Sequence, residues 1–527
     1  MTAKIFNILN NSQSPYHDVE ALVSQWIKYW NSHDAEAAYK LFDEQFEFYS
    51  PFLKGKNGYP DGKIDSKQEL KHYFKKVIQS IPDLQLQIRN IEAEKHTVKL
   101  QFYSATENLL ANGSIDFNDN GKIKKSKFEF EKDTTFASRT ANLPKSFIRE
   151  ILKVTKQPEI ISFAGGLPNP QFFPVNAIEE ATHKVLKREG SAVLQYATSE
   201  GYQPLRAFIA ERYKQKKGLN INEDNIVITN GSQQALDLVA KLFIDQRDPV
   251  LLEKPSYLGA IQAFSVFEPT FHMVELQQDG VNLQDLQKQL HLLKPKLFYI
   301  VPNFQNPTGI SYSQEKRKEC AHLLRDTNTW LIEDDPYGEI RFIGEDKLPV
   351  TSFMQEQSIL CGSFSKIVAP GLRLGWMAVP DQILNKITIL KQATDLHSNY
   401  FSQRVLSQYL EDNDIDQHIQ LIKDAYKKQR NLMISAIDKY FPEEVKVTRP
   451  EGGMFLWATL PPSLNSIELF KLSLAKKVAF VPGRPFYTSN DGYNTMRLNF
   501  SNAPADKIEE GIKRLAEALK YQMTGVK

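Results

Sequence analysis

The sequence predicts an α/β protein: a mostly parallel central sheet covered by helices, with a smaller α+β part beside it, preceded by a separate small α+β domain. Three observations carry this. From residue 140 onward, short apolar runs alternate with amphipathic helical stretches, the pattern of a parallel sheet buried on both faces. Before about residue 132 the order differs, with helical periodicity first and two-residue alternation after it. A chain of 527 residues is also too long for one ordinary hydrophobic core.

Composition narrows the functional class. At 41% hydrophobic and 24% charged residues, the chain has the make-up of an average globular protein. Lys and Arg number 65 against 63 Asp and Glu, so no basic excess points to nucleic acid or an anionic membrane surface. The opening MTAKIFNILNNSQSPYHD lacks the charged start, apolar run and small-residue site of a secretion signal. No apolar stretch approaches the roughly 18 to 20 residues of a membrane helix. The two cysteines, Cys320 and Cys361, sit in an expected helix and an expected strand and read as buried reduced thiols. The expectation is a cytoplasmic enzyme that holds no metal.

The N-terminal part is read as residues 1–132. From Asp18 a helix places Leu22, Val23, Trp26, Ile27 and Trp30 on one face. Asn31-Ser32-His33-Asp34 breaks it, and Asp34 caps a second helix running through Leu41 and Phe42. His33 and Asp34 also fit an acid–base pair, but a capping Asp explains them more simply. A third helix is expected over Gln68 to Ile81. After Pro82, alternation at Leu84, Leu86 and Ile88, at Val98, Leu100 and Phe102, and at Phe128 and Phe130 predicts antiparallel strands. Asn112-Gly113 and Asn120-Gly121 are expected as their turns. The polar stretch Glu131 to Arg139 reads as a linker.

In the second part, residues 133–527, the expected strands are Ile226–Ile228, Val250–Leu252, Leu297–Val301, Trp330–Ile332 and Ile359–Cys361. Ligands of open α/β sheets bind beyond the carboxyl ends of the strands, so the residues that follow each run are where chemistry is sought. Gly231-Ser232-Gln233 opens a helix, offering N–H groups and a positive dipole end to a phosphate, although an ordinary cap looks the same. Tyr257 offers a flat ring to a planar cofactor. Pro307 keeps Asn306 out of helical conformation. Asp334 is a carboxylate at a buried strand end, which calls for a cationic partner. Tyr337 follows three residues later. In GSFSKIVAPGLRLGW, Lys366 stands between hydroxyl residues, with Arg373 seven positions on. This suits an imine-forming amine beside a phosphate held by Ser363, Ser365 and Arg373.

That segment closely resembles the lysine signature of the fold-type-I, class I/II aminotransferases, which use pyridoxal 5′-phosphate. FAGGLPNPQFFP, LQYATSEGYQPLR, TNGSQQALDL, PNFQNPTG, IEDDPYGEI and MRLNFS match the same family in order, over about residues 140 to 522. The closest likeness is to α-aminoadipate/kynurenine-type enzymes. The resemblance implies a large cofactor-binding part over about 180–400 and a small part from about 141–179 plus 401–527. It implies that Lys366 is the Schiff-base lysine and proton shuttle, that Asp334 pairs with the ring nitrogen, and that Asn306 and Tyr337 bind the ring oxygen while Tyr257 stacks on the ring. Ser232, Gln233, Ser363, Ser365 and Arg373 would hold the phosphate, and Arg497 the substrate carboxylate, with Gly166 and Asn306 beside it. Tyr196 resembles the tyrosine that reaches a neighbouring subunit's phosphate, which implies a homodimer. Arg149, in the expected short helix Ser146 to Leu152, resembles an arginine that meets acidic substrate side chains. Asp245-Gln246-Arg247-Asp248 departs from the family's usual Gly-Asp in a loop that carries no chemistry.

WIKYWNSHDAEAAYKLFDEQFEFYSP and the meander after it resemble the nuclear-transport-factor-two-like (SnoaL-like) cone fold. The expected reaction moves an amino group between an amino acid and a 2-oxo acid, with 2-oxoglutarate and glutamate as one pair. Two alternatives share the fold: a lyase or decarboxylase using the same cofactor, and a regulator with a basic winged-helix domain in front. The front domain here has no helix-turn-helix pattern.

Overall fold

The computed structural model describes residues 19–55, 58–81, 84–104, 109–132, 137–140, 157 and 159–525. The chain divides into two compact units, Met1–Leu143 and Pro144–Lys527.

In the first unit, the helix Val19–Asn31 buries Val23, Trp26, Ile27 and Trp30, the stripe expected of it. Asp34 caps the next helix, Ala35–Lys40, through a 2.9 Å bond from the Ala37 N–H. That helix stops short of the expected Leu41 and Phe42. Phe42 instead opens strand β1 (Phe42–Tyr49), whose Phe46 and Phe48 alternate inward. Strand β2 is Lys63–Ile64, and the helix Lys67–Ser80 follows. Strands β3 (Leu86–Glu94), β4 (Thr97–Ser104), β5 (Leu109–Phe117) and β6 (Ile123–Lys132) complete a sheet of order β2-β1-β6-β5-β4-β3. β1 runs parallel to β6, so the sheet is mixed rather than a pure antiparallel meander.

Two further expectations are corrected. Asn112-Gly113 is not a turn but the middle of β5, with Gly113 opposite Leu100 and Phe128. A Cβ on Gly113 would strike the Lys127 carbonyl and the Phe128 ring, so glycine answers a close strand approach. The β5–β6 turn is at Asn118–Lys122, where the Asn118 side chain accepts from two backbone N–H groups and Gly121 takes φ +72°. Ile88 is exposed, because the β3–β4 register slips between Ile88 and Asn90 and breaks the alternation. The expected break at Pro82 falls outside the described residues.

In the second unit, β7 (Ile161–Ser162) precedes the central strands β8 (Ile226–Thr229), β9 (Pro249–Lys254), β10 (Thr270–Gln277), β11 (Gly280–Val281), β12 (Leu297–Ile300), β13 (Trp330–Asp334), β14 (Ser358–Ser363) and β15 (Gly375–Ala378). Their order is β11-β10-β9-β12-β13-β14-β15-β8. β10, β9, β12, β13 and β14 are mutually parallel, and β15 lies antiparallel between β14 and β8. β8, β12, β14 and β15 are buried along their whole length, which is why they read as unbroken apolar runs. A second sheet, β16 (Lys446–Val447), β17 (Phe455–Thr459), β19 (Val481–Pro482) and β20 (Thr495–Asn499), forms the smaller part, with order β16-β17-β20-β19. The two-residue strand β18 (Val478–Ala479) pairs with β7. Helices Ile415–Tyr440 and Ala505–Thr524 bury apolar faces beside it. Cys320 and Cys361 are buried free thiols. Among the described residues no helix is long and apolar enough to cross a membrane, and no cluster of His, Cys, Asp or Glu is arranged to hold a metal.

Candidate active site

The parallel register puts the carboxyl ends of β8, β9, β12, β13 and β14 along one edge of the central sheet, and β20 brings Arg497 to the same place. The loop from β14 to β15 carries Lys366, whose Nζ donates to the Gly166 carbonyl at 3.1 Å. Burial, and after it the guanidiniums of Arg497 and Arg373, lowers this ammonium from its usual range to about 8. A lysine amine that loses its proton near neutrality is a nucleophile.

Asp334, the last residue of β13, is buried. Its Oδ2 accepts from the Tyr299 hydroxyl at 2.9 Å, while its Oδ1 has no partner. Desolvation pushes this carboxyl up to about 7, against the lowering effect of the Tyr299 bond. Tyr299 lies opposite Ile332, two residues before Asp334, so both side chains share one face of the sheet. Asp335 faces the other way: its Oδ1 accepts from Asn303 Nδ2, and Asn303 is in turn bound by the buried Arg317. A protonated ring nitrogen beside Asp334 would occupy the vacant carboxylate oxygen and restore the charge that burial opposes.

Arg497 is buried between the rings of Phe455 and Phe486, 4.4 and 5.2 Å from their centroids. Its Nη1 donates to Asn306 Oδ1 and its Nη2 to the Ala164 carbonyl, both at 2.9 Å, and its Nε has no partner. A cation held this way, with no acid paired to it among the described residues, suits an incoming carboxylate. Asn306 also donates to the Tyr337 hydroxyl at 3.4 Å. Gly166 lies against this group; a Cβ there would sit 3.4 Å from the Phe455 ring.

At the other end, Ser232 and Gln233 open the helix Ser232–Phe243. Arg373 Nη2 donates to the Asn230 carbonyl at 3.1 Å, and a Cβ on Gly231, whose φ is +73°, would stand 2.6 Å from that nitrogen. Gln233 donates to the Gly259 carbonyl, and Tyr257 caps the neighbouring helix Leu258–Ser265. Burial and the Asp334 charge push the Tyr257 hydroxyl up to about 12. Ser363 and Ser365 are buried at the end of β14, the Ser365 N–H bonded to Ser363 Oγ. Helix N-terminus, hydroxyls and an exposed guanidinium form a cradle suited to a phosphate. The residues present therefore fit a flat, phosphorylated, basic-ringed cofactor.

A buried layer holds these loops. Glu253 accepts from the Val301 N–H, Gln305 Nε2 and the Tyr312 hydroxyl, and Gln305 also donates to the Pro255 carbonyl. It thereby ties the loop bearing Tyr257 to the loop bearing Asn306.

Tyr196 stands apart, 78% exposed, its ring edge-on to His397. Arg149 and the expected helix Ser146 to Leu152 lie outside the described residues. Sequence reading missed Tyr299, Phe455, Phe486 and Ala164. Tyr299 is hidden inside an apolar strand, and the others come from segments without strand-end motifs.

The family model for aminotransferase class I and II matches residues 163–515. An aromatic-amino-acid aminotransferase of Thermococcus litoralis is 41% identical over 408 residues, 76% of this chain and 97% of that protein. A 2-aminoadipate transaminase of Thermus thermophilus is 40% identical over 390 residues, 73% of this chain and 96% of its own. The crystal structure of a Pyrococcus horikoshii kynurenine aminotransferase in complex with PMP superposes with a TM-score of 0.71 at 40% identity, covering 74% of this chain and 98% of that one.

Proposed function

Because the chain belongs to the class I and II aminotransferases, we propose that the groups gathered around Lys366 carry out its amino-group transfer. Pyridoxal 5′-phosphate, the cofactor, supplies a conjugated electron-withdrawing ring joined to the substrate nitrogen. The observation that carries the assignment is the juxtaposition of a depressed lysine amine, a half-unsatisfied carboxylate and a buried acid-free arginine in one site.

Lys366 would hold the cofactor covalently and, once free, its amine would carry a proton to and from the substrate Cα. Its amine near pKa 8 suits both tasks at neutral pH. Asp334, kept in place by Tyr299, would pair with the ring nitrogen and hold its proton there. Asn306 and Tyr337 would hydrogen-bond the 3-oxygen, and Tyr257 would stack on the ring. Ser232, Gln233, Ser363, Ser365 and Arg373 would hold the phosphate. Arg497 binds the α-carboxylate of every substrate, with Asn306 and Gly166 beside it. Phe455 and Phe486 exclude water from that pair, which strengthens it.

Glutamate and 2-oxoglutarate form one substrate pair in this reading, and Arg149 selects acidic side chains. The exposure of Tyr196 supports a homodimer in which that ring reaches the partner subunit's phosphate. Residues 1–132 form the SnoaL-like domain and 133–527 the aminotransferase domain, in a cytoplasmic protein. The test is a panel of amino acids offered with 2-oxoglutarate, following cofactor absorbance and glutamate release. Turnover with several donors supports the reading; none with any donor defeats it. Arg149→Ala should raise KM for acidic donors and spare leucine and phenylalanine. Equal effects on both would remove Arg149 from substrate choice.

A further inference from the structure

Lys391 is not one of the groups gathered around Lys366, yet the fold buries it completely. It lies in the helix Asp381–Asp395 of the second unit, and Asp395 is the last residue of that helix. The Lys391 Nζ donates to Asp395 Oδ1 and Oδ2 at 2.8 and 2.9 Å, to Ser398 Oγ at 3.0 Å and to Gln234 Oε1 at 3.2 Å. An ammonium has three hydrogens, and three acceptor side chains meet them.

The helix itself gains little from this pair. A carboxylate at a helix C-terminus meets the negative end of the dipole, and a lysine four residues before an acid is the less favourable order. Attraction within a buried ion pair often leaves the desolvation of its charges uncompensated. The arrangement serves what lies against it.

That neighbour is Asn230, which with Gly231 joins β8 to the helix Ser232–Phe243. Asn230 is held at three points. Its N–H donates to Gln234 Oε1 at 2.8 Å, its Nδ2 donates to Asp395 Oδ2 at 2.7 Å, and its carbonyl accepts from Arg373 Nη2 at 3.1 Å. Lys391 stands behind the first two, bonded to the same Gln234 oxygen and the same Asp395 oxygen. Ser398, its third acceptor, donates to the Ile228 carbonyl at 3.1 Å and so fixes the strand that leads into the loop. Gly231, Ser232 and Gln233 follow Asn230 directly, so the start of the phosphate-facing helix is anchored on this buried charge.

We propose that Lys391 is a positioning residue for the cofactor's phosphate. By holding Asn230 it fixes the carbonyl on which Arg373 rests and the helix start whose N–H groups meet the dianion. Its charge also cancels that of Asp395, which would otherwise repel a phosphate. The inference rests on reading Ser232, Gln233, Ser363, Ser365 and Arg373 as the phosphate cradle.

The test titrates the full-length enzyme, freed of its cofactor, with pyridoxal 5′-phosphate and with pyridoxal, which lacks only the phosphate. The ratio of the two affinities isolates the phosphate's share. Lys391→Met should lower that ratio about tenfold, the effect of one hydrogen bond to a charged group, by weakening the phosphorylated probe and sparing the other. The kcat at saturating cofactor should change far less. Asn230→Ala should lower the ratio too, and combining it with Lys391→Met should add little, since both cut one linkage. Circular dichroism reports folding, and if Lys391→Met does not fold, Asn230→Ala decides. A ratio unchanged in either folded variant, or equal losses for the two probes, would overturn the proposal. Arg373→Ala separates the two ways to fail: a ratio that falls there alone defeats only the role of Lys391, whereas one unchanged there as well defeats the phosphate cradle itself.

Discussion

The two units differ in what they bury: among the described residues the buried polar side chains of the first are the serines Ser50, Ser104 and Ser126, whereas the second also buries charged ones such as Glu253, Arg317, Glu333 and Arg497. In the second unit several buried charges are held by more than one partner: Glu253 has three donors, Glu333 accepts from the Val350 and Thr351 N–H groups and the Thr351 hydroxyl, and Asp335 and Arg317 share Asn303. Within the residues gathered at the strand ends, Asp334 Oδ1 and Arg497 Nε lack partners. The first unit has an apolar core rich in aromatic rings instead, among them Trp26, Trp30, Phe42, Phe74, Phe102 and Phe128. The site in the second unit is built from ionisable groups whose pKa values burial has moved. The core of the first unit is built from ring surfaces.

The comparison can be broken where it predicts the largest effect. Lys366→Ala should abolish turnover, a loss of at least about a thousandfold in kcat, because it removes both the covalent hold on the cofactor and the proton carrier. Circular dichroism should show the variant folded. Residual activity within tenfold of wild type would separate Lys366 from the chemistry.

Asp334→Ala should lower kcat by about a hundredfold or more while leaving much of the bound cofactor in place, since the loss falls on charge at the ring nitrogen. Asp335→Ala should do far less, because that side chain faces Asn303 and not the site. Steady-state kinetics and cofactor absorbance on both variants check this. A reversed order would mean that the face of β13 presented to the site has been misassigned.

A pH profile sharpens the same point. An amine must be neutral to attack, and it is neutral above its pKa. With Lys366 lowered to about 8, uptake of pyridoxal phosphate by cofactor-free enzyme should rise about tenfold per pH unit below 8 and level above it. Stopped-flow absorbance measures the rate. Levelling only near the ordinary lysine range would show that burial does not tune this amine.

The smallest effect belongs to the first unit. Asp34→Ala removes the bond to the Ala37 N–H and should cost that unit about 1 kcal/mol of stability while leaving kcat unchanged. Urea unfolding with transaminase assays tests both halves of the statement. A fall in kcat would mean that the helix Ala35–Lys40 matters to the reaction.

How much was legible in the sequence follows the same divide. The central strands were readable as buried apolar runs, and the candidates Lys366, Asp334, Asn306 and Arg373 were readable because they lie at the carboxyl ends of those strands or in the loops that follow. Tyr299 was not, since a tyrosine inside such a run looks like core until its neighbour strand is known. Phe455, Phe486 and Ala164 meet Arg497 only through pairing and loops far apart in sequence. In the first unit, Asp34 was legible as a cap, but Phe42, the first residue of β1, was placed in the preceding helix and the rest of β1 was not read as a strand, because its two-residue alternation begins only at Phe46. Gly113 looked like a turn residue because close strand approach and turn formation both ask for glycine.

The central claim is that Lys366 is the residue that carries the cofactor. Borohydride reduction of the yellow holoenzyme, followed by digestion and mass spectrometry, tests it most directly. The account predicts one phosphopyridoxyl group on the peptide containing Gly362-Ser363-Phe364-Ser365-Lys366, attached at Lys366. A label on any other lysine, or none on an enzyme that binds the cofactor and turns over, would contradict it.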